Sequence, residues 1–199
     1  MQYHLKTPIS KEDIKKLNVG DIVYLSGNIC TGRDEAHITA IEEEKPPVDL
    51  KNGVIYHAGP IMKQKKTETG KTTDEWECVA IGPTTSARMN KTEKKFIEIT
   101  NISAIIGKGG MSDDLLSVFE EHSVVYLSAP GGCAALLAES VKKVESVHKL
   151  NLGIPEAFWS LKVEEFGPLV VSMDSHCQSL YKNVNKNVEK NLKEIKELI

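Results

Sequence analysis

The sequence predicts an α/β fold with a mixed, partly parallel sheet, and three observations predict it. Apolar strand-like runs alternate with helix-like runs along the 199 residues, the order that layers helices on a parallel sheet. Four of the strand-like runs end in turns rich in glycine or hydroxyl residues: SGNICTGRDEAH, AIGPTTSARM, IIGKGGMSDD and LSAPGGCAALLAE. Hydrophobic residues make up 40% and charged residues 27%. That is the balance of a globular chain, long enough to bury a core without disulfides or metals.

The elements follow in order. Ser10-Lys11-Glu12-Asp13 has the form of a capping box opening a helix over 11–17, which Gly20 stops. A strand is expected over 21–26, a turn over 27–32 and a helix over 34–44, ended by Pro46-Pro47. A strand over 54–58 runs into Gly59-Pro60. Residues 63–75, KQKKTETGKTTDE, read as a solvated loop or hairpin tip, because their acids balance their lysines. Strands over 77–81 and 102–106 come next. Ser112 caps a helix through about 122, with Asp113 and Asp114 in its first turn. A strand over 124–128, a helix over 133–149 and strands over 158–163 and 169–173 follow. From 178 to 199 the chain reads as one amphipathic helix, with Leu180, Val184, Val188, Leu192, Ile195 and Ile199 at three- to four-residue spacing. The expected division is an α/β domain over 1–177 and this C-terminal helix over 178–199.

Composition excludes several classes of function. The formal charge is −3, so there is no basic excess to neutralise nucleic-acid phosphates. No apolar run approaches the roughly 20 residues of a membrane span. MQYHLKTPIS lacks the apolar stretch of a signal peptide, and a cytoplasmic location is expected. The four cysteines, Cys30, Cys78, Cys133 and Cys177, show no CxxC spacing, which argues against a zinc ribbon or a self-contained iron–sulfur motif. They read as reduced, structural thiols, and no metal ligands are expected on this chain.

The arginines are more informative. Of 25 basic residues only Arg33 and Arg88 are arginine. A guanidinium grips a carboxylate with two parallel hydrogen bonds, which lysine cannot copy. Both arginines lie in the turns after strands, where free N–H groups and helix dipoles attract anions. In GPTTSARM, if Thr85 or Ser86 opens a helical turn, Thr84 and Arg88 stand four residues apart on one face. Thr84 and Thr85 could then touch an anionic substrate, or merely cap backbone N–H groups. In TGRDEAH, Asp34 can steer Arg33, and His37 reads as a core or supporting histidine. Lys108 sits between glycines in IGKGGM, but the Lys-Ser/Thr of a true phosphate loop is absent. Two arginines, one lysine and hydroxyls suit a small dicarboxylate.

Taken together, GDIVYLSG, TGRDEAH, YHAGP, GPTTSARM, IGKGGM, the PGGCAA turn and EAFW, in this order from about Gly20 to Asp174, resemble the β subunit or C-terminal domain of class I fumarate hydratases. The related L-tartrate dehydratases share the pattern. The resemblance implies a swivelling β/β/α domain and an iron–sulfur hydro-lyase that interconverts malate and fumarate, with tartrate as the alternative substrate. It implies a [4Fe-4S] cluster carried by an α-subunit partner in a hetero-oligomer, with no ligands from this chain. By position, Thr84 matches the family's proposed base. Arg33, Arg88, Lys108 and Thr85 match substrate contacts, with Asp34 and His37 supporting them. The family often ends in a short tail where this chain has a Lys/Asn-rich helix. A non-catalytic module that binds a dicarboxylate or a partner is the reading from another class.

Overall fold

The computed structural model describes residues 1–197. Nine strands and six α-helices occur among them. They are β1 (Gln2–Lys6), α1 (Lys11–Ile14), β2 (Ile22–Thr31), α2 (Asp34–Glu42), β3 (Val54–Tyr56), β4 (Ile61–Lys66), β5 (Thr72–Ala80), α3 (Asn90–Thr100), β6 (Ala104–Gly107), α4 (Leu116–His122), β7 (Val125–Ser128), α5 (Ala134–Glu139), β8 (Val141–His148), β9 (Phe158–Met173) and α6 (Leu180–Glu197).

The main sheet runs β1-β2-β3-β6-β7-β9-β8, and an additional β2–β9 pairing bends its middle into a closed five-stranded barrel. Pairings from β1 through β7 are parallel, while β9 is antiparallel to β7, β2 and β8. The sheet is thus mixed and partly parallel, in keeping with the expected β/β/α architecture. A two-stranded hairpin, β4–β5, stands outside it.

Alternation along the central strands explains the layering. Val54 and Tyr56, Ala104 and Ile106, and Val125 and Leu127 face one core together with Trp159 and Leu161. Their neighbours Ile55, Ile105 and Tyr126 face the other, where Ala36 and Ala40 of α2, Phe96 and Ile97 of α3 and Phe119 of α4 pack. Strands buried on both faces must be apolar at every position, which is why VIY, AIIG and VYL read so clearly as strands.

Several boundaries differ from the sequence expectation, each for a physical reason. The turn expected over 27–32 is strand: β2 continues to Thr31 through a bulge at Gly27, whose φ is +111°. A Cβ there would stand 2.5 Å from Thr7 Oγ1, so a glycine lets the strand pass. The helix expected over 133–149 stops at Glu139, and β8 takes over. Val141, Val144 and Val147 have helix-like spacing, yet two register shifts in the β8–β9 ladder turn all three towards the core. The two strands expected over 158–163 and 169–173 are one sixteen-residue strand, β9, which bends at Glu165 and pairs along β2, β7 and β8. The helix expected over 11–17 is a single turn, capped by Ser10, whose Oγ accepts from the Asp13 N–H. β1 and α3 were not expected.

Among the described residues no helix is long and apolar enough to cross a membrane. In α6, Tyr181 packs against the helix-side core and bonds Ser128 at 2.7 Å. Beyond it the apolar positions Val184, Val188, Leu192 and Ile195 face solvent, each about half exposed. The expected apolar position Ile199 lies outside the described residues.

Candidate active site

Four chain segments meet at one end of the barrel: the entrance of α2, the turn after β3, the turn after β5 and the turn after β6. Backbone hydrogen bonds stitch three of them together. Thr84 N–H donates to His57 O at 2.7 Å, Lys108 N–H to Thr84 O at 3.1 Å and Ser86 N–H to Lys108 O at 3.1 Å. Thr84, Thr85 and Lys108 are therefore held side by side, although 24 residues separate Thr84 from Lys108 in the chain.

After Thr85 the chain makes a 3-10 turn, Ser86–Met89, that leads directly into α3. The turn brings Arg88 back over Thr84: NH1 donates to Thr84 Oγ1 at 3.3 Å. Arg88 Nε donates to Asp34 Oδ1 at 3.1 Å, and NH2 donates to Asp34 Oδ2. This is a two-pronged grip that fixes the guanidinium plane. Asp34 opens α2, where a carboxylate is favoured by the helix dipole. Asp34 thus steers Arg88, not its neighbour Arg33 as the sequence reading had it.

Arg33 has a different anchor. Its Nε lies 3.1 Å from Glu156 Oε1, and both side chains are mostly buried. The guanidinium crosses the turn after β3 at Gly59, where a Cβ would come within 2.5 Å of its NH1. The glycine of YHAGP is thus required for close approach. Lys108 is half-buried, and among the described residues its ammonium takes part in no ion pair closer than 4.0 Å. Thr85 and Arg88 are exposed and Thr84 is partly so, which makes this an open face. Two concavities, one along β5 and β8 and one beside residues 45–51, lie apart from it.

Behind this face sits a group that only His37 announced in the sequence. His37 of α2, His57 after β3 and Glu93 of α3 are all fully buried, with their ligand atoms within 4.8 Å of one another. Burial pushes the Glu93 carboxyl up, while positive charge on the two imidazoles, where they carry it, outweighs burial and holds the carboxyl below its ordinary value. Burial pushes His57 below its ordinary value, against the pull of Glu93. His57 and Glu156 sit in the recognisable segments YHAGP and EAFW and could have been singled out. Glu93 could not, because α3 itself was not foreseen.

The cysteines do not form a ligand set. Cys30 is buried, with its thiol pushed up to about 12 by that burial, while Cys78, Cys133 and Cys177 are partly exposed. Among the described residues no three of them gather. A [4Fe-4S] cluster needs three or four thiolates converging on it, and this chain's donors do not fit one.

Comparison with known proteins places the chain in a family. A family model described as Fumarase C-terminus matches residues 1–184. The chain is 59% identical over 192 residues to a Methanocaldococcus jannaschii protein provisionally named L(+)-tartrate dehydratase subunit beta, covering 94% of this chain and 95% of that one. It is 42% identical over 181 residues to the L(+)-tartrate dehydratase subunit beta of Escherichia coli K12, covering 90% of this chain and 87% of that one. It is also 42% identical over 193 residues to a protein of Geobacillus stearothermophilus provisionally named class I fumarate hydratase, covering 97% of this chain and 36% of that protein.

Proposed function

This chain belongs to the Fumarase C-terminus family, and we propose that it is the β subunit of a two-chain hydro-lyase that interconverts malate and fumarate. In this reading an α-subunit partner carries the [4Fe-4S] cluster. This chain's share is carboxylate binding and proton transfer.

One observation carries the proposal: Arg88, gripped by Asp34, reaches Thr84 Oγ1 at 3.3 Å with Lys108 zipped alongside. Arg33, Arg88 and Lys108 supply positive charge for the two carboxylates of a C4 substrate. Thr85, at the edge of the same turn, adds a hydroxyl. Deprotonated Thr84 takes the C3 proton as the C2–O bond breaks, and that proton, passed on to the departing hydroxide, completes water and restores the base; hydration runs the same transfers in reverse. A hydroxyl is a weak base, so the adjacent guanidinium must favour its deprotonated form. The exposure of Arg88 and Thr85 supports a site completed by another chain, which would exclude water and strengthen that effect.

Tartrate is the second reading, favoured by the names of the M. jannaschii and E. coli relatives. Anaerobic co-expression with the cognate α subunit, followed by kcat/KM measurements on malate, fumarate and tartrate, tests the proposal. Turnover of malate and fumarate above tartrate is expected. A preference for tartrate transfers the same residue roles to that substrate. Dicarboxylate binding without turnover by the assembled, cluster-loaded complex would overturn the catalytic reading in favour of a binding module.

A further inference from the structure

We propose that His37, His57 and Glu93 form a closed structural zinc site, buried behind the substrate-facing turns. The inference does not depend on which reaction the site performs.

The three side chains come from three elements, α2, the segment after β3, and α3, and each is fully buried. Their inner atoms face one another. Glu93 Oε2 lies 3.6 Å from His37 Nε2 and 3.4 Å from His57 Nε2. Both distances exceed the roughly 2.7–3.2 Å of an N–H···O hydrogen bond. They match the edges of a tetrahedral zinc shell, where bonds of about 2.0–2.1 Å separate neighbouring ligand atoms by about 3.4 Å. Both Nε2 atoms and both carboxylate oxygens of Glu93 are buried without a hydrogen-bond partner. Four buried polar atoms left without partners would be costly in any core, and one from each of the three residues lies within 4.8 Å of the others. A cation at that centre satisfies the two imidazole nitrogens and the Glu93 carboxylate at once.

The outer atoms of the imidazoles are arranged as metal-bound histidines require. His37 Nδ1 lies 2.8 Å from Arg33 O. A carbonyl can only accept, so Nδ1 carries the proton and Nε2 presents its lone pair inward. His57 Nδ1 lies 2.9 Å from Ser86 Oγ, which accepts from the Tyr126 hydroxyl at 3.0 Å; with Nδ1 as the donor to Ser86, Nε2 presents its lone pair inward here too. Each ring is therefore oriented by a second partner on the side away from the centre, the usual support of a ligating histidine. Two imidazoles and a carboxylate suit zinc among the common divalent metals. Full burial leaves no open position for substrate, so the ion would cross-link the fold and perform no chemistry. The link is well placed. His37 holds the Arg33 carbonyl, His57 accepts from Thr84 N–H through its own carbonyl, and α3 continues directly from the turn that carries Arg88.

The test uses the full chain, expressed without a histidine tag in zinc-supplemented medium. Elemental analysis after exhaustive dialysis should find about one zinc per chain. Chain unfolded with a chelator and refolded with cobalt(II) should show the strong visible bands of tetrahedral cobalt at one equivalent, and its melting midpoint should exceed that of metal-free refolded chain. Glu93→Gln and His57→Gln should each lower the bound metal at least tenfold. Should either variant fail to fold, the zinc content and cobalt spectrum of the wild-type chain still decide. Zinc well below stoichiometry with no cobalt bands would overturn the proposal and leave a shared proton at the centre. Undiminished metal in the folded variants would overturn it equally, by moving the ion to another site.

Discussion

Replacing Arg88 by lysine keeps the positive charge and removes the planar fork. Arg88 makes three hydrogen bonds in the site, two to Asp34 and one from NH1 to Thr84 Oγ1. A lysine ammonium is a compact charge on a flexible stem and cannot hold Asp34 with two parallel bonds while touching Thr84. One or two charge-assisted bonds are lost, each worth about 1.5–3 kcal/mol. If the contact with Thr84 is what keeps its oxygen deprotonated and able to take the C3 proton, the loss falls on the chemical step. The expected penalty is then about 3 kcal/mol, or roughly 10²-fold in kcat/KM. Stability should barely move, because Arg88 is 45% exposed and partly exposed ion pairs contribute about 1 kcal/mol or less. The assay is steady-state hydration and dehydration by the anaerobically assembled two-chain enzyme, paired with thermal unfolding of this chain. Turnover within about threefold of wild type would refute the reasoning and reduce Arg88 to a scaffold for Asp34.

Three further outcomes are expected. Gly59→Ala places a methyl where NH1 of Arg33 would be 2.5 Å away, so Arg33 must move. Activity should fall at least about tenfold while the circular dichroism spectrum is unchanged, and an unaffected KM and kcat would remove Arg33 from the site. Thr84→Val deletes only a hydroxyl and should lower kcat steeply with substrate affinity changed a few-fold, whereas Thr85→Val should be milder. Persistence of C3 proton exchange in the Thr84 variant would assign the base elsewhere. Cys30, with its thiol pushed up to about 12 by burial, is about one ten-thousandth thiolate at pH 8. Iodoacetamide should modify it only after denaturant is added, as peptide mass spectrometry would show, and rapid native-state labelling would contradict its burial.

How much was legible follows from range. The central strands were readable because burial on both faces leaves uninterrupted apolar runs. The Thr84–Arg88 contact was readable from proximity in the chain, and the structure joins them at 3.3 Å, although Thr84 lies ahead of the 3-10 turn rather than on a helical face. Lys108 could be nominated by its glycine-flanked turn, but the bonds that zip it to Thr84 and Ser86 are tertiary. Asp34 was noticed and given the wrong arginine, since its partner Arg88 is 54 residues away and adjacency to Arg33 was the nearer cue. β8 was hidden because bulges convert a three-residue valine spacing, normally helical, into one face of a strand. α3 keeps helical spacing at its buried positions, Glu93, Phe96, Ile97 and Thr100, but two of these four are polar types normally read as solvent-facing, so the buried face is disguised. The same oddity conceals the buried histidine–glutamate group, whose members come together only when three elements pack.

The closure of the barrel has a consequence for synthesis. Residues 22–30 of β2 find their antiparallel partner only in residues 160–170 of β9. A ribosome adding about 5–20 residues per second takes roughly 7–28 seconds to cross that interval. Throughout it, the nascent chain has made Val23, Leu25 and Ile29, all fated for the core, in a strand with one edge unpaired. Such an edge is a template for any other extended chain. The interval between translating Thr31 and translating Met173 is therefore when this polypeptide is most exposed to misassociation. A silent codon change that slows elongation within it should lower soluble yield without altering the purified protein.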